Sequence, residues 1–117
     1  MKIAIVGSRN FRDLKLVRDY LVEHVAGKGT VVTGGARGVD EVALRVCINI
    51  GVPVLVIPPP GPAQAHHGSY AQGCAIRNRW IVKEADRVVA FWDGSSKGTA
   101  MTIGMAREAG KPVVVIS

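Results

Sequence analysis

Two cysteines in 117 residues, six aromatic side chains and nine acidic groups against fifteen basic ones are all low counts, and each excludes something. Cys47 lies inside an apolar helical pattern and Cys74 near a loop, a spacing that makes neither a disulfide framework nor a metal motif. Reduced thiols without chemistry are expected. No apolar run approaches the roughly 18 residues of a membrane span, so no membrane partner is expected. The opening MKIAIVGSRN carries no basic leader, no long apolar stretch and no small-residue cleavage site, which predicts a cytoplasmic protein. Repeats, low-complexity tracts and runs of like charge are also absent.

What is present is enough to fold. Hydrophobic residues make up 48% of the chain and the mean hydropathy is +0.22, which argues for one globular domain over residues 1–117. The net charge of +6 and pI near 9.8 call for an anionic partner. The basic residues are dispersed, and several fall in glycine-containing loops, a placement that favours a small phosphorylated ligand over nucleic acid.

Short apolar runs ended by glycine or proline alternate with helical spacing. Lys2–Val6, Thr30–Thr33, Val54–Ile57, Arg87–Trp92 and Pro112–Ile116 read as strands buried on both faces. Between them, Leu14, Val17, Leu21 and Val25 recur at helical intervals after Asp13, a candidate cap. Val39, Val42, Ala43, Val46, Cys47 and Ile50 do so before Gly51. Further helices are expected over about Cys74–Glu84 and Thr99–Ala109. Pro58–Gln72, with four prolines and no period, reads as a long loop able to act as a partial lid. The alternation predicts an α/β fold, a three-layer Rossmann-like parallel sheet of five strands in the order 3-2-1-4-5 with helices on both faces.

In such sheets ligands bind at the carboxyl ends of the strands, near the reversal of strand order. Three loops fall there: Gly7-Ser8-Arg9, Thr33-Gly34-Gly35-Ala36-Arg37-Gly38 and Asp93-Gly94-Ser95-Ser96-Lys97-Gly98-Thr99. Glycine lets backbone N–H groups approach a phosphate, and a following helix N-terminus adds unsatisfied donors. Arg9 and Arg37 could grip phosphate oxygens in two-point fashion. Ser96 and Thr99 could donate hydroxyls or cap the fourth helix, and Asp40 sits where a helix dipole favours a carboxylate. Trp92 fits core packing better than base stacking, a role also open to Tyr70. His66 and His67 are adjacent in a loop with no third ligand in view, so no metal is expected. Neither G-x-G-x-x-G with a following acidic residue nor G-x-x-x-x-G-K-[ST] occurs, which argues against ordinary NAD binding and P-loop ATP hydrolysis.

GSRNF after the first strand, VVTGGARGVD at the second turn, Gly68 and Gly73 with Arg77-Asn78, then ADRVVAFWDGSSKGT and GKPVVV, resemble the YspA-type, YpsA-related branch of the SLOG superfamily over nearly the whole chain. That superfamily includes the LOG phosphoribohydrolases and DNA-processing protein A. The resemblance implies a Rossmann-like sheet whose glycine loops bind nucleotides or nucleotide-derived ligands, with a role in nucleotide sensing or in prokaryotic and phage conflict systems. It also draws Arg77 and Asn78 toward the site. LOG hydrolases carry P-G-G-x-G-T-x-x-E, and Thr102 stands where the glutamate would. A threonine is no general base at neutral pH, so hydrolysis of ordinary nucleoside monophosphates is not expected, although Asp93, Asp40 or Glu41 could substitute.

The expected function is therefore binding or sensing of a nucleotide-like phosphorylated ligand, with no cofactor required. Its expected site comprises Gly7, Ser8, Arg9, Gly34, Gly35, Arg37, Asp40, Arg77, Asn78, Asp93, Ser96, Gly98 and Thr99, with no catalytic residue assigned. A nucleotide hydrolase and a single-stranded DNA binder are the alternatives, and a homo-oligomer is left open.

Overall fold

Four consecutive buried residues, Ile3, Ala4, Ile5 and Val6, make β1 (Lys2–Gly7) a strand covered on both faces. Successive side chains of a strand point to opposite faces, and the core divides accordingly. Ile3 and Ile5 belong to one apolar cluster with Val31, Val89 and Phe91, while Ala4 and Val6 belong to a second with Val32, Val88 and Ala90. In this computed structural model residues 1–59 and 70–117 are described.

The remaining elements are α1 (Lys15–His24), β2 (Thr30–Thr33), α2 (Val39–Ile50), β3 (Val54–Val56), α3 (Tyr70–Glu84), β4 (Arg87–Phe91), α4 (Lys97–Glu108) and β5 (Val113–Ile116). All pairings are parallel and the order is β3-β2-β1-β4-β5, as the alternating pattern predicts. The first cluster is closed by α1, through Val17 and Leu21, and by α2, through Val39, Ala43 and Cys47. The second is closed by Ile81 and Val82 of α3 and Ile103 and Ala106 of α4. Three layers result, with β1 at the centre and the reversal of strand order between β1 and β4.

Local signals act close to where the sequence places them. Asp13 accepts the Lys15 N–H on its carboxylate at 3.2 Å and the Leu16 N–H on its carbonyl at 3.1 Å, so it closes the start of α1 although Leu14 already has helical angles. Gly51, at φ 76°, ends α2 in the left-handed conformation. Strand ends differ from the sequence expectation by a residue, and pairing continues past them: Trp92 N–H donates to Ile116 O, and Ile57 N–H to Thr33 O.

Two larger corrections concern helix starts. α3 begins at Tyr70 rather than Cys74, because Ala71 and Gln72 are good helix formers and Gly73 is tolerated inside the helix. The loop expected over Pro58–Gln72 is shortened at that end. Residues 60–69, with His66, His67, Gly68 and most of the proposed lid, lie outside the described residues. α4 begins at Lys97, two residues before Thr99, because the turn at Asp93 already orients the backbone. Both cysteines are free; Cys47 is buried, which pushes its thiol up to about 11. Among the described residues no helix is long and apolar enough to cross a membrane.

Candidate functional site

The carboxyl ends of β1 and β2, together with the start of α4 beyond β4, surround a cavity of about 290 Å³. Its floor is Val6, Gly7 and Ile81; its walls are the Ala36–Arg37 turn, α3 and the first two turns of α4. Nine of the thirteen expected site residues line it: Gly7, Arg9 and Arg37; Asp40, Arg77 and Asn78; and Ser96, Gly98 and Thr99. The other four, Ser8, Gly34, Gly35 and Asp93, do not.

Two helices begin at this cavity. α2 starts after Gly38 and α4 after Ser96, and neither has a side-chain hydrogen bond at its cap. The first turn of α4, through Gly98 and Thr99, therefore presents the positive end of the helix dipole to the cavity. The Ser96 and Thr99 hydroxyls lie 3.2 Å apart and share a hydrogen bond. Thr102 also lines the cavity, but its hydroxyl donates to Gly98 O at 3.1 Å within the helix. In that arrangement it neither carries charge nor activates water.

The three arginines differ in kind. Arg77 is 7% exposed; it donates from Nη1 to Gly34 O at 2.8 Å and from Nε to Asn78 Oδ1 at 2.9 Å. A Cβ at Gly34 would stand 2.9 Å from the Arg77 Cζ, so any other residue here would push the guanidinium off the backbone. Gly38 has φ 84°, and a Cβ there would come within 2.8 Å of the Arg9 Cα, so this glycine lets the first two loops cross. Arg9 and Arg37 are exposed at the rim and make no ion pair or side-chain hydrogen bond among the described residues.

Asp40 is the buried acid of the cavity. Its Oδ2 accepts the Ala36 N–H at 3.3 Å and its Oδ1 has no hydrogen-bond partner among the described residues. Burial pushes its carboxyl up to about 6, a rise only partly offset by the Ala36 N–H, the Arg77 charge and the Gly34 N–H.

The residues outside the cavity have structural explanations. Ser8 is buried, and its hydroxyl accepts the Asp93 N–H at 3.1 Å, tying β1 to β4 beyond their ends. Asp93 accepts from Ser95 N–H at 2.9 Å and Ser96 N–H at 2.8 Å, which holds its carboxyl below the usual carboxylate range and closes the turn before α4. It borders a separate hollow of about 670 Å³ with Phe11, Arg12 and Trp92. Trp92 is half-buried at the edge of the second cluster and donates from Nε1 to Ser96 O at 3.0 Å. Gly34 acts as the acceptor and seat of Arg77, and Gly35, at φ 73°, turns the chain.

Sequence reasoning missed Cys74 and Ile81 as lining residues. The signal was available: Cys74, Arg77, Asn78 and Ile81 follow the i, i+3, i+4, i+7 rule for one helix face.

Fold and site together define a SLOG-like Rossmann domain with a cationic cavity at the carboxyl edge of its sheet. Residues 1–72 match the family model described as DNA recombination-mediator protein A, and the chain belongs to that family. No curated protein matches the chain in sequence. Among solved structures, it is similar to DNA processing protein A from Streptococcus pneumoniae, with a TM-score of 0.81 and 21% identity over 99% of this chain and 50% of that one. It is also similar to DNA processing protein A from Helicobacter pylori, with a TM-score of 0.70 and 20% identity over 98% and 64%; that protein was solved for its single-stranded DNA binding mode. A structural-genomics target, TM1055, gives a TM-score of 0.71 and 29% identity over 96% and 71%. The chain thus spans half of the first relative and just under two thirds of the second.

Proposed function

We propose that the chain binds single-stranded DNA, with backbone phosphate held at the cavity between Gly7–Arg9, Ala36–Asp40 and Ser96–Thr99. The observation that carries this reading is the pair of rim arginines, Arg9 and Arg37, exposed and without partners among the described residues, beside an uncapped helix start. Cations left free in this way are suited to phosphate, which an Arg fork grips in two-point fashion. Family membership over residues 1–72 and the single-stranded DNA binding of the Helicobacter pylori relative favour a strand over the small ligand that the dispersed charge suggests. The net charge of +6 acts in the same direction.

A free nucleotide is the second reading, favoured by size alone: about 290 Å³ is at the lower end of small-ligand pockets. The two readings separate in one titration. Fluorescence anisotropy with an oligothymidylate of about 20 residues should give binding that weakens steeply with salt. Equal amounts of thymidine monophosphate should compete poorly. Tight, salt-insensitive binding of the mononucleotide with no strand binding would reverse the order. No release of base is expected from Thr102, which supplies no general base, or from Asp93, which is engaged in its turn.

A further inference from the structure

A carboxyl group inside a phosphate site is a contradiction that the structure leaves open at one atom. Asp40 lines the cavity, and its Oδ1 is buried with no hydrogen-bond partner among the described residues, while Oδ2 is held by the Ala36 N–H. An ionised carboxylate there would repel any phosphate drawn in by Arg9 and Arg37. A neutral carboxyl would present an O–H donor to it instead.

We propose that Asp40 receives the DNA phosphate as the neutral acid, donating a hydrogen bond from Oδ1 to a phosphodiester oxygen, so that strand binding takes up one proton from solvent. This rests on the DNA reading above. The groups that face Asp40 allow it. Arg77 of α3 is the charge acting on it, and Arg9 and Arg37 of the two loops share its cavity. The Cys74 thiol comes from α3, and α4 contributes only the uncharged Ser96, Thr99 and Thr102. The neighbouring acid on its own helix, Glu41, is paired at 2.8 Å with Arg45, one turn on. Arg77 is engaged with Gly34 O and Asn78, and Asp40 makes no ion pair among the described residues. An ordinary carboxyl would seldom be neutral near neutral pH, but this one is raised to about 6.

The test is the affinity of wild type and Asp40→Asn for a 5′-hydroxyl oligothymidylate from pH 5.5 to 7.5 at constant ionic strength. The probe's phosphodiesters and bases do not titrate in this range, so any proton belongs to the protein. The wild-type Kd should rise about 20-fold from pH 5.5 to 7.5, as binding to the neutral form of a group near 6 requires. Asp40→Asn, which keeps a donor and all histidines, should be flat within about twofold and bind more tightly than wild type at pH 7.5. Calorimetry of the wild type in buffers of different ionisation enthalpy should show close to one proton taken up at pH 7.5, a reading that does not depend on the variant. A wild-type profile that is flat, or a slope that persists in Asp40→Asn, would overturn proton uptake while leaving the DNA reading in place. Absence of strand binding at every pH would overturn both.

Discussion

Asp40 and Asp93 stand at the same edge of the sheet and meet opposite treatment. Asp93 is exposed and accepts two backbone N–H groups and the Ser95 hydroxyl on Oδ1, so its carboxylate is stabilised and that oxygen is occupied by its own turn. Asp40 is 5% exposed, accepts one hydrogen bond at 3.3 Å and leaves its buried Oδ1 without a partner among the described residues, at the edge of a cavity lined by three arginines. The first is a clip that sets the start of α4. The second is a cost carried by the fold, because a buried, underpaired carboxylate destabilises the state that contains it. Sites with such uncompensated groups are where function is expected to be placed.

Arg77, the buried cation whose charge acts on Asp40, carries the largest expected effect. Arg77→Ala removes the hydrogen bond to Gly34 O and leaves Asp40 without its charge partner, which should cost about 3 kcal/mol of stability at pH 7.5, read by chemical denaturation. That loss should shrink at pH 5, where Asp40 is largely neutral. A loss equal at both pH values would separate Arg77 from Asp40. Arg9→Glu combined with Arg37→Glu tests the rim instead. Strand affinity should fall by at least about 100-fold while the melting temperature stays within about 2 °C, since exposed unpaired cations contribute little to stability.

Smaller effects sharpen the contrast between the two acids. Because the folded-state value of Asp40 is about 6 and its ordinary value is 3.8, the native state holds its proton more strongly. The contribution of Asp40 to stability is therefore most favourable below about pH 4, declines as pH rises to about 6 and is level above that. Asp40→Asn should stabilise the protein by about 2 kcal/mol at pH 7.5 and by nearly nothing at pH 4, measured by urea unfolding. Asp93 has the reverse sign: its depressed value contributes stability above the ordinary carboxylate range that is lost as pH falls through the folded-state value. Asp93→Ala should lower the melting temperature slightly at pH 7, with the gap narrowing on acidification. Identical pH profiles for the two variants would erase the distinction.

Much of the fold was legible because its signals are local. Glycine-terminated apolar runs and three- or four-residue spacing marked the strands and helices, and β1's run from Ile3 to Val6 required cover on both faces. Boundaries drifted where a turn prepares a helix, as at Asp93, or where good helix formers precede a glycine, as at Tyr70–Gln72. The cavity lining was legible in Gly7, Gly98 and the rim arginines, though not in Gly34 and Gly35, and Cys74 and Ile81 were within reach through the helical spacing around Arg77. The separation of Asp93 from the cavity was not, since it depends on which N–H groups fold back onto one carboxylate.

The sequence by itself determined the alternation of strand and helix, the parallel sheet and the gathering of three glycine loops at one edge, because each follows from periodicity within about twenty residues and from the handedness of crossovers. Only the tertiary structure decided that Arg77 turns inward onto Gly34, that Ser8 ties β1 to β4, and that Asp40 is buried with one oxygen unpaired. Those outcomes depend on segments some 40 to 85 residues apart being brought side by side, and burial and hydrogen-bond satisfaction are properties of that juxtaposition rather than of any stretch of chain.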